Sequence, residues 1–159
     1  MAEKMPRIGC RTGLLGRDMI ETEEALNNLT KSIIGVAIDV HRELGPGLLE
    51  KVYQHCLKIA LEDAGYKVQM ELALPVKFRG RIVNEDGYRL DLLVDDTVIL
   101  EIKSVSAITE VFEKQLGTYL RLSGKPCGLL LNFNVNRLVD GVKRIKNGYL
   151  PSSANAFKN

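Results

Sequence analysis

One segment, residues 98–133, constrains the fold more than any other, because it reads as a strand, a helix and a second strand. Residues 127–133 form a nearly continuous apolar run, which is typical of a strand covered on both faces. An amphipathic helix is predicted ahead of it over residues 109–122, with Thr109 as the N-cap and Ser123-Gly124 as the stop. Strand, helix and strand in this order imply a right-handed crossover and a parallel pair of strands. The pattern predicts an α/β fold.

Two hairpins are also predicted, and the second of them contains the first strand of this unit. Apolar and polar residues alternate strictly over Val68–Phe78, which indicates a half-buried strand, and a short strand is expected next at residues 82–83. Residues 88–94 and 98–104 form the second hairpin, joined by the loop Asp95-Asp96-Thr97. The sheet is therefore expected to contain both antiparallel and parallel pairs.

Two helices are predicted before the strands. An apolar stripe at helical spacing begins near Thr30 and ends at Gly45-Pro46-Gly47, and a second helix covers residues 48–64. When the second helix is projected at about 100° per residue, Glu50 lies at the inward-facing edge and Gln54 on the solvent-facing arc. Its apolar arc comprises Leu49, Val52, Tyr53, Cys56, Leu57, Ile59, Ala60 and Leu61.

Size and composition indicate a single domain. With 159 residues, of which 26% are charged, the chain suits one α/β domain in which helices flank a mixed β-sheet. We predict this domain over residues 23–150, with a flexible leader at 1–22 and a tail at 151–159. The net charge of +2 is too small to indicate nucleic-acid binding by itself. The three cysteines contain no CxxC pair and fit a cytoplasmic location, and no apolar run is long enough to span a membrane.

Asp91, Glu101 and Lys103 are the candidate functional residues of the second hairpin. Glu101 and Lys103 are two residues apart on one strand, so they share a face. Asp91 joins them only if it lies opposite Glu101, which requires a three-residue loop or a bulge. A solvent-facing edge would also explain these charges, but the apolar flanking strands predict that a helix covers this face. Carboxylates on a covered face are costly unless they are paired or bind a metal ion.

Glu50 and Gln115 are predicted to point inward from two helices, so that four segments contribute polar groups to one site. Magnesium and manganese prefer oxygen ligands, and Glu50, Asp91 and Glu101 are the predicted metal ligands. A bound metal ion activates water and neutralises charge on a phosphate, while Lys103 would position the water or stabilise the transition state. The chemistry that suits this set is hydrolysis of a phosphodiester.

The order and spacing of these residues resemble a known nuclease superfamily. Asp91, then Glu101-Ile102-Lys103, then Gln115 and Tyr119 are similar to the D…ExK…QxxxY pattern of PD-(D/E)xK exonuclease-like domains. Ahead of them, Gly47-Leu48-Leu49-Glu50-Lys51-Val52-Tyr53 matches the signature of the GxxExxY proteins, a bacterial and archaeal family assigned to that superfamily. The resemblance covers about residues 30–145.

The resemblance implies a restriction-endonuclease-like fold and a nuclease activity, although the family has no well-established substrate. Together with the chemistry of the site residues, it predicts magnesium or manganese as the cofactor and a nucleic acid, DNA in the first instance, as the partner. The active-site set that it implies is Glu50, Asp91, Glu101, Lys103 and Gln115. Tyr119, His41 and Tyr53 are predicted as auxiliary residues, and Leu90 departs from the pattern, which has proline there. Two functions stay open at this point: a nuclease, and a catalytically silent nucleic-acid or protein-interaction module with the same fold. In either, a homodimer or a protein partner would supply specificity that the small chain lacks.

Overall fold

A computed structural model of the chain describes residues 22–148, in which three α-helices flank a five-stranded β-sheet. In chain order the elements are α1 (Glu23–Leu44), α2 (Glu50–Asp63), β1 (Val68–Phe78), β2 (Arg81–Val94), β3 (Val98–Lys103), α3 (Glu110–Ser123), β4 (Cys127–Asn132) and β5 (Val142–Lys146), with a 3₁₀ turn at Leu138–Gly141 before β5. Within the described part of the chain, no helix is long and apolar enough to cross a membrane. The predicted leader, apart from Thr22, and the predicted tail lie outside the described residues, so the proposed domain boundaries stay a prediction.

The sheet has the strand order β1-β2-β3-β4-β5 and contains both strand orientations. β1 and β2, β2 and β3, and β4 and β5 are antiparallel pairs, whereas β3 and β4 are parallel. The chain passes from β3 to β4 through α3, as the sequence predicted. The α/β fold with a mixed sheet flanked by helices is thereby confirmed.

Apolar layers cover both faces of the sheet. On one face, α1 and α2 pack against the central strands through residues such as Ile33 and Leu57, which are fully buried. On the other face, Leu116 and Leu120 of α3 pack against the same strands. β4 is buried along its whole length, and β3 at every position except Lys103. A helix therefore covers the face on which the charged pair of β3 was predicted to lie.

Helix α1 begins at Glu23 rather than near Thr30. The side chain of Thr22 accepts a hydrogen bond from the backbone N–H of Ala25 at 3.1 Å, which caps the first turn. Glu23 and Glu24 occupy that turn, where negative charge interacts favourably with the helix dipole. A threonine followed by acidic residues is a helix start signal that apolar periodicity alone does not detect.

Helix α2 contacts the sheet along a narrower face than its projection predicted. Gln54, predicted to face solvent, is only 2% exposed, whereas Leu49, Val52 and Ile59 of the predicted apolar arc are 76%, 40% and 58% exposed. These predictions were wrong because only one row of α2 side chains makes the apolar contact with the sheet. The adjacent row, which contains Gln54, lies over polar groups of the sheet and not in solvent. The buried apolar row consists of Tyr53, Leu57 and Leu61.

Strand β2 is continuous over Arg81–Val94, although a separate short strand was predicted at residues 82–83. Only residues 92–94 of β2 pair with β3, so the β1–β2 hairpin extends beyond the central sheet. At Gly87 the two strands are so close that an added Cβ atom would lie 1.9 Å from Leu74 O. Every residue from 75 to 87 is exposed or half-buried. We refer to residues 76–83 as the hairpin tip.

Candidate active site

The turn between β2 and β3 sets the register of the candidate site. Val94 pairs with Val98, so the loop consists of the three residues 95–97, as predicted. Its first two residues adopt the left-handed conformation, with φ of 49° and 53°, which aspartate accommodates more readily than most residues. Continued along both strands, this register places Asp91 opposite Glu101. The three-residue loop that Asp91 and Glu101 need in order to lie opposite each other is therefore present.

Regular pairing between β2 and β3 ends immediately before the two carboxylates. Beyond that point, Asp91 Oδ2 accepts a hydrogen bond from the Ile102 N–H at 2.9 Å, and Glu101 Oε1 accepts one from the Asp91 N–H at 3.4 Å. The carboxylates thus take the place of the carbonyl oxygens that a regular ladder would offer to these N–H groups. The strands separate at the site, and side-chain oxygens occupy the opening.

The strands of the first hairpin also change face at this point. Met70 packs on the α1–α2 side of the sheet and Leu72 on the α3 side, although residues two apart in a strand normally share a face. The two residues that flank Asp91 on β2 differ in the same way. Glu71 has a φ of 56°, which costs a residue other than glycine about 1–2 kcal/mol. The sheet is distorted where the polar groups meet.

Glu101 is the buried carboxylate at the centre of the site. It is 4% exposed, and burial together with the Asp91 carboxylate raises its pKa from 4.5 to about 8. Burial raises the pKa of Asp91 as well. At neutral pH the two groups therefore retain a proton that exposed acids would lose. A cation bound between two such carboxylates would offset their mutual repulsion, so the pair favours cation binding.

Lys103 is held beside the carboxylates by α3. Its ammonium group lies 4.7 Å from the centre of the Phe112 ring, a cation–π contact. Burial dominates the raised pKa values of Asp91 and Glu101, and the Lys103 charge acts in the opposite direction on both. The lysine is thus within electrostatic range of both acids, on the face of β3 that α3 covers.

Gln115 and Tyr119 face the same region from α3 and bind each other. Gln115 Nε2 donates a hydrogen bond to the Tyr119 hydroxyl at 2.7 Å, and the Tyr119 ring lies 5.2 Å from that of Tyr88. Burial and the nearby Glu101 raise the pKa of Tyr119 to about 12, so the hydroxyl is protonated at neutral pH. Gln115 was predicted to orient Lys103 or to hold a phosphate oxygen, and in this structure its amide nitrogen contacts Tyr119.

Glu50 lies on the exposed rim of the site, not on an inward-facing edge as the projection predicted. Its Oε1 accepts a hydrogen bond from the Ser104 N–H at 3.4 Å, and Ser104 Oγ donates to Leu48 O at 2.7 Å. The negative charge of Glu50 also raises the pKa of Glu101, although burial and the Asp91 carboxylate have larger effects. The projection failed because Glu50 is the first residue of α2, where the side chain reaches past the helix end toward β3.

Tyr53 stabilises the loop that precedes Glu50. Its hydroxyl donates a hydrogen bond to Gly45 O and accepts one from the Leu48 N–H at 3.1 Å. The Tyr53 ring stacks on Phe133, with ring centres 4.5 Å apart. In the Gly-x-x-Glu-x-x-Tyr segment the tyrosine therefore fixes the loop, and the loop places the glutamate at the rim.

His41, the other predicted auxiliary residue, also has structural contacts. Its Nε2 lies 2.8 Å from Val135 O and 3.2 Å from Phe133 O. Because carbonyl oxygens only accept hydrogen bonds, Nε2 carries the proton. His41 is 5% exposed and joins α1 to the segment after β4. Neither contact involves Asp91 or Glu101.

Sequence reasoning missed a polar group that supports Asp91. Gln54 Nε2 donates hydrogen bonds to Glu71 Oε1 at 2.8 Å and to Asp91 O at 3.0 Å. Lys51 forms an ion pair with Glu71, and this contact, followed by that of Gln54, lowers the pKa of Glu71. Strict alternation predicts that Glu71 points away from Met70, whereas the left-handed backbone turns it toward α2. The sequence contains no signal for this left-handed residue.

Asn132, the last residue of β4, was also missed. It is 2% exposed, and its side chain binds both polar backbone groups of Val105: Oδ1 accepts from the N–H at 3.1 Å, and Nδ2 donates to the carbonyl at 2.9 Å. These bonds fix the segment that follows Lys103. An asparagine at the end of an apolar run was the available signal, because a buried amide needs hydrogen-bond partners.

The oxygen donors at the opening fit a hard divalent cation in their chemistry. Asp91 and Glu101 offer carboxylate oxygens at the centre, and Glu50 offers another at the rim. No three His, Cys, Asp or Glu side chains among residues 22–148 are arranged as a ready-made metal cluster. The assignment of Glu50, Asp91 and Glu101 as metal ligands accordingly stays a prediction.

The chain matches the model of one known protein family. The family described as the PD-(D/E)XK nuclease superfamily matches residues 27–145, which is most of the chain. The protein belongs to this superfamily, whose nucleases typically use divalent metal ions. No curated protein and no solved structure is significantly similar to the chain. The family match supports a nuclease-like function.

Proposed function

We propose that the protein is a metal-dependent nuclease that hydrolyses phosphodiester bonds, in DNA in the first instance. The observation that carries this proposal is the Asp91–Glu101 carboxyl pair in the opening between β2 and β3, with Lys103 beside it. Membership of the superfamily supplies the reaction class. The Gly47–Glu50–Tyr53 spacing supports assignment to the GxxExxY family within it.

Magnesium or manganese is the proposed cofactor. Asp91 and Glu101 would hold the ion, and Glu50 would contribute from the rim. When bound, such an ion activates water and neutralises the charge that develops on the phosphate. Because the carboxyl pair retains a proton at neutral pH, ion binding competes with protonation and is expected to weaken as pH falls.

The other groups of the site have distinct proposed roles. Lys103 holds the attacking water or a phosphate oxygen beside the carboxylates. Tyr119 offers a neutral hydroxyl, and Gln115, as its hydrogen-bond donor, leaves the hydroxyl proton free to reach a phosphate oxygen. Gln54 and Glu71 act through Asp91 by holding its backbone in place.

The test is cleavage of labelled single- and double-stranded DNA and RNA, with magnesium, with manganese and with a chelator. Wild type is compared with Asp91→Asn, which keeps side-chain size and removes the charge, and with Lys103→Ala. Lys67→Ala is the matched control, because Lys67 is exposed and precedes β1 at the end away from the hairpin tip. Circular dichroism and melting temperature establish that each variant is folded.

We expect cleavage that requires the metal, is lost in Asp91→Asn and Lys103→Ala, and is retained in Lys67→Ala. The substrate that is cleaved decides between DNA and RNA. If folded wild-type protein binds nucleic acid and cleaves none of the four substrates with either metal, the nuclease proposal is wrong, and the accessory-module function replaces it. Equal cleavage by wild type and both site variants would contradict the assigned site.

A further inference from the structure

The hairpin tip is a positively charged surface on β1 and β2, whose other end adjoins the acidic candidate site. We propose that residues 76–83 bind the sugar–phosphate backbone of the nucleic-acid substrate at a distance from the carboxylates. This inference rests on the proposed function, since it assigns a substrate-binding surface to the same enzyme. The proposed ligand is a nucleic-acid strand, recognised by its phosphates and secondarily by its bases.

The charge of the tip is the first observation. Residues 76–83 include Lys77, Arg79 and Arg81 and no acidic residue. All three basic residues are exposed. None of the eight ion pairs found among residues 22–148 involves them. Unpaired, solvated cations that project from the body of a protein suit contacts with phosphate groups.

Exposed apolar side chains alternate with these cations. Phe78, Ile82 and Val83 are 63%, 52% and 61% exposed, and the Arg79 guanidinium lies 5.2 Å from the centre of the Phe78 ring. Phe78 pairs with Arg81, and Lys77 with Ile82, so that each face of the ribbon presents a basic and an apolar side chain. Basic groups interleaved with an exposed aromatic ring are typical of surfaces that bind phosphates and stack bases.

The tip and the candidate active site lie on the same two strands, β1 and β2. Arg89 Nη1 donates a hydrogen bond to Glu71 O at 3.3 Å, and Tyr88 contacts Tyr119 at the base of the same hairpin. Phe78 lies seven positions beyond Glu71 on β1, which corresponds to roughly 23 Å at about 3.3 Å per residue. At about 3.4 Å per nucleotide, a strand would have to extend about seven nucleotides from the site to reach the tip.

Two acidic residues next to the tip bound the surface. Glu85 and Asp86 follow it on β2, and both are exposed. Their charges oppose phosphate binding, so the contact surface ends before them. This boundary gives the proposal a second, opposite test, since removal of these charges should strengthen the contact that removal of the tip charges weakens.

The main experiment measures binding of a DNA strand of about 30 nucleotides by fluorescence anisotropy between about 50 and 200 mM salt. The tip variant combines Lys77→Ala, Arg79→Ala and Arg81→Ala. The control variant combines Lys31→Ala, Lys58→Ala and Lys67→Ala, which removes the same charge from α1, α2 and the segment before β1. For the tip variant we expect about tenfold or greater weakening, and a salt dependence reduced by about 2–3 in log–log slope.

Equal weakening in the control variant would overturn the proposal, because net charge and not the tip would then govern binding. Unchanged binding in the tip variant would also overturn it. Size-exclusion chromatography tests a different occupant: conversion of a wild-type dimer to a monomer by the tip substitutions would assign the surface to a second copy of the chain. A melting temperature close to that of wild type shows that the tip variant is folded.

Cleavage of strands of different length separates this proposal from the proposed function. For a strand of about 30 nucleotides, the tip variant should show a KM about tenfold higher with kcat unchanged. A strand of about four nucleotides cannot reach the tip and should be cleaved equally by both proteins. Wild-type cleavage with no length-dependent difference would overturn the tip proposal and leave the nuclease standing. Absence of wild-type cleavage, with tip-dependent binding retained, would overturn the nuclease alone.

Discussion

The two ends of the β1–β2 hairpin differ in burial and in charge. At the base, β2 is buried from Leu92 to Val94, and the adjoining acids Asp91 and Glu71 meet the polar groups of α2 and β3. At the tip, the same two strands are exposed and carry basic and apolar side chains. One ribbon therefore bears half-buried carboxylates at its base and exposed cations at its tip.

The comparison shows that the degree of burial determines what the charged side chains at each end of the β1–β2 hairpin can do. A buried carboxylate pair is costly when both acids ionise, and a bound cation would offset this cost. Exposed arginine and lysine side chains are hydrated and positively charged, and they keep this charge when they contact a phosphate. The base can then serve reaction and the tip can serve binding, because the two regions differ in the environment of their charges.

The largest effect is expected from Lys103→Met, which removes the charge that contacts Phe112 and keeps an unbranched side chain. We expect kcat to fall about a hundredfold to a thousandfold, because loss of one electrostatic group at a reacting phosphate typically has that consequence. Cleavage kinetics and strand-binding anisotropy are measured on the same protein. Binding by the tip should be retained, and a loss of binding equal to the loss of kcat would break the distinction between base and tip.

The second prediction concerns stability in the absence of metal. The folded-state pKa of Glu101 is raised from 4.5 to about 8, so the folded protein binds this proton more tightly than the unfolded chain. Its contribution to stability is fully present below about pH 4.5 and is lost as pH rises toward 8. We expect the free energy of unfolding to fall by a few kcal/mol across this window, and the decrease to be reduced in Glu101→Gln.

Urea unfolding at several pH values between these limits, in a chelating buffer, provides the measurement. The tip variant serves as the control and should follow the wild-type pH dependence, because its charges are solvated and distant from Glu101. A wild-type stability that rises between pH 5 and pH 8 would contradict the raised pKa of Glu101.

The third prediction concerns the support of Asp91. Gln54→Leu removes the donors to Glu71 and to the Asp91 carbonyl while preserving much of the side-chain volume. We expect manganese affinity to fall about tenfold, as is usual when a group that orients a metal ligand is lost. Calorimetric titration measures the affinity, and Gln69→Leu is the control because Gln69 lies exposed on β1. Equal affinities in the two variants would remove Gln54 from the site.

The smallest effect is expected next to the tip. Glu85→Gln combined with Asp86→Asn removes two exposed charges that oppose phosphate binding. Strand affinity should rise about twofold to fivefold at low salt, and the increase should disappear at high salt, where exposed charges are screened. Anisotropy at both salt concentrations measures it. Unchanged affinity at low salt would mean that the strand does not pass this part of the hairpin.

The sequence predicted the parts of the site that depend on strand register. A three-residue loop at residues 95–97 is enough to place Asp91 opposite Glu101, and the apolar strands around Glu101 predict its burial. The crossover through α3 follows from the order of the elements. These features depend on neighbouring residues or on general rules of strand connectivity, so the sequence alone predicts them.

The missed features depend on contacts between distant segments. Gln54 was assigned to solvent because the helix projection cannot show that its row lies over Glu71 and Asp91. The left-handed backbone of Glu71 is stabilised by Lys51 and Gln54 of α2, and alternation along β1 gives the opposite orientation. Continuity of β2 was missed because residues 84–87 consist of polar residues and a glycine, so they lack the alternation of a half-buried strand.

The central claim is that the Asp91–Glu101 pair retains a proton that a divalent cation displaces. Calorimetric titration of manganese near pH 6.5, in buffers with different ionisation enthalpies, measures binding and proton release together. For the wild type we predict binding of the ion with release of about one proton, and for Glu101→Gln much weaker binding with almost no proton release. Absence of manganese binding by the wild type, or binding without proton release, would contradict the account.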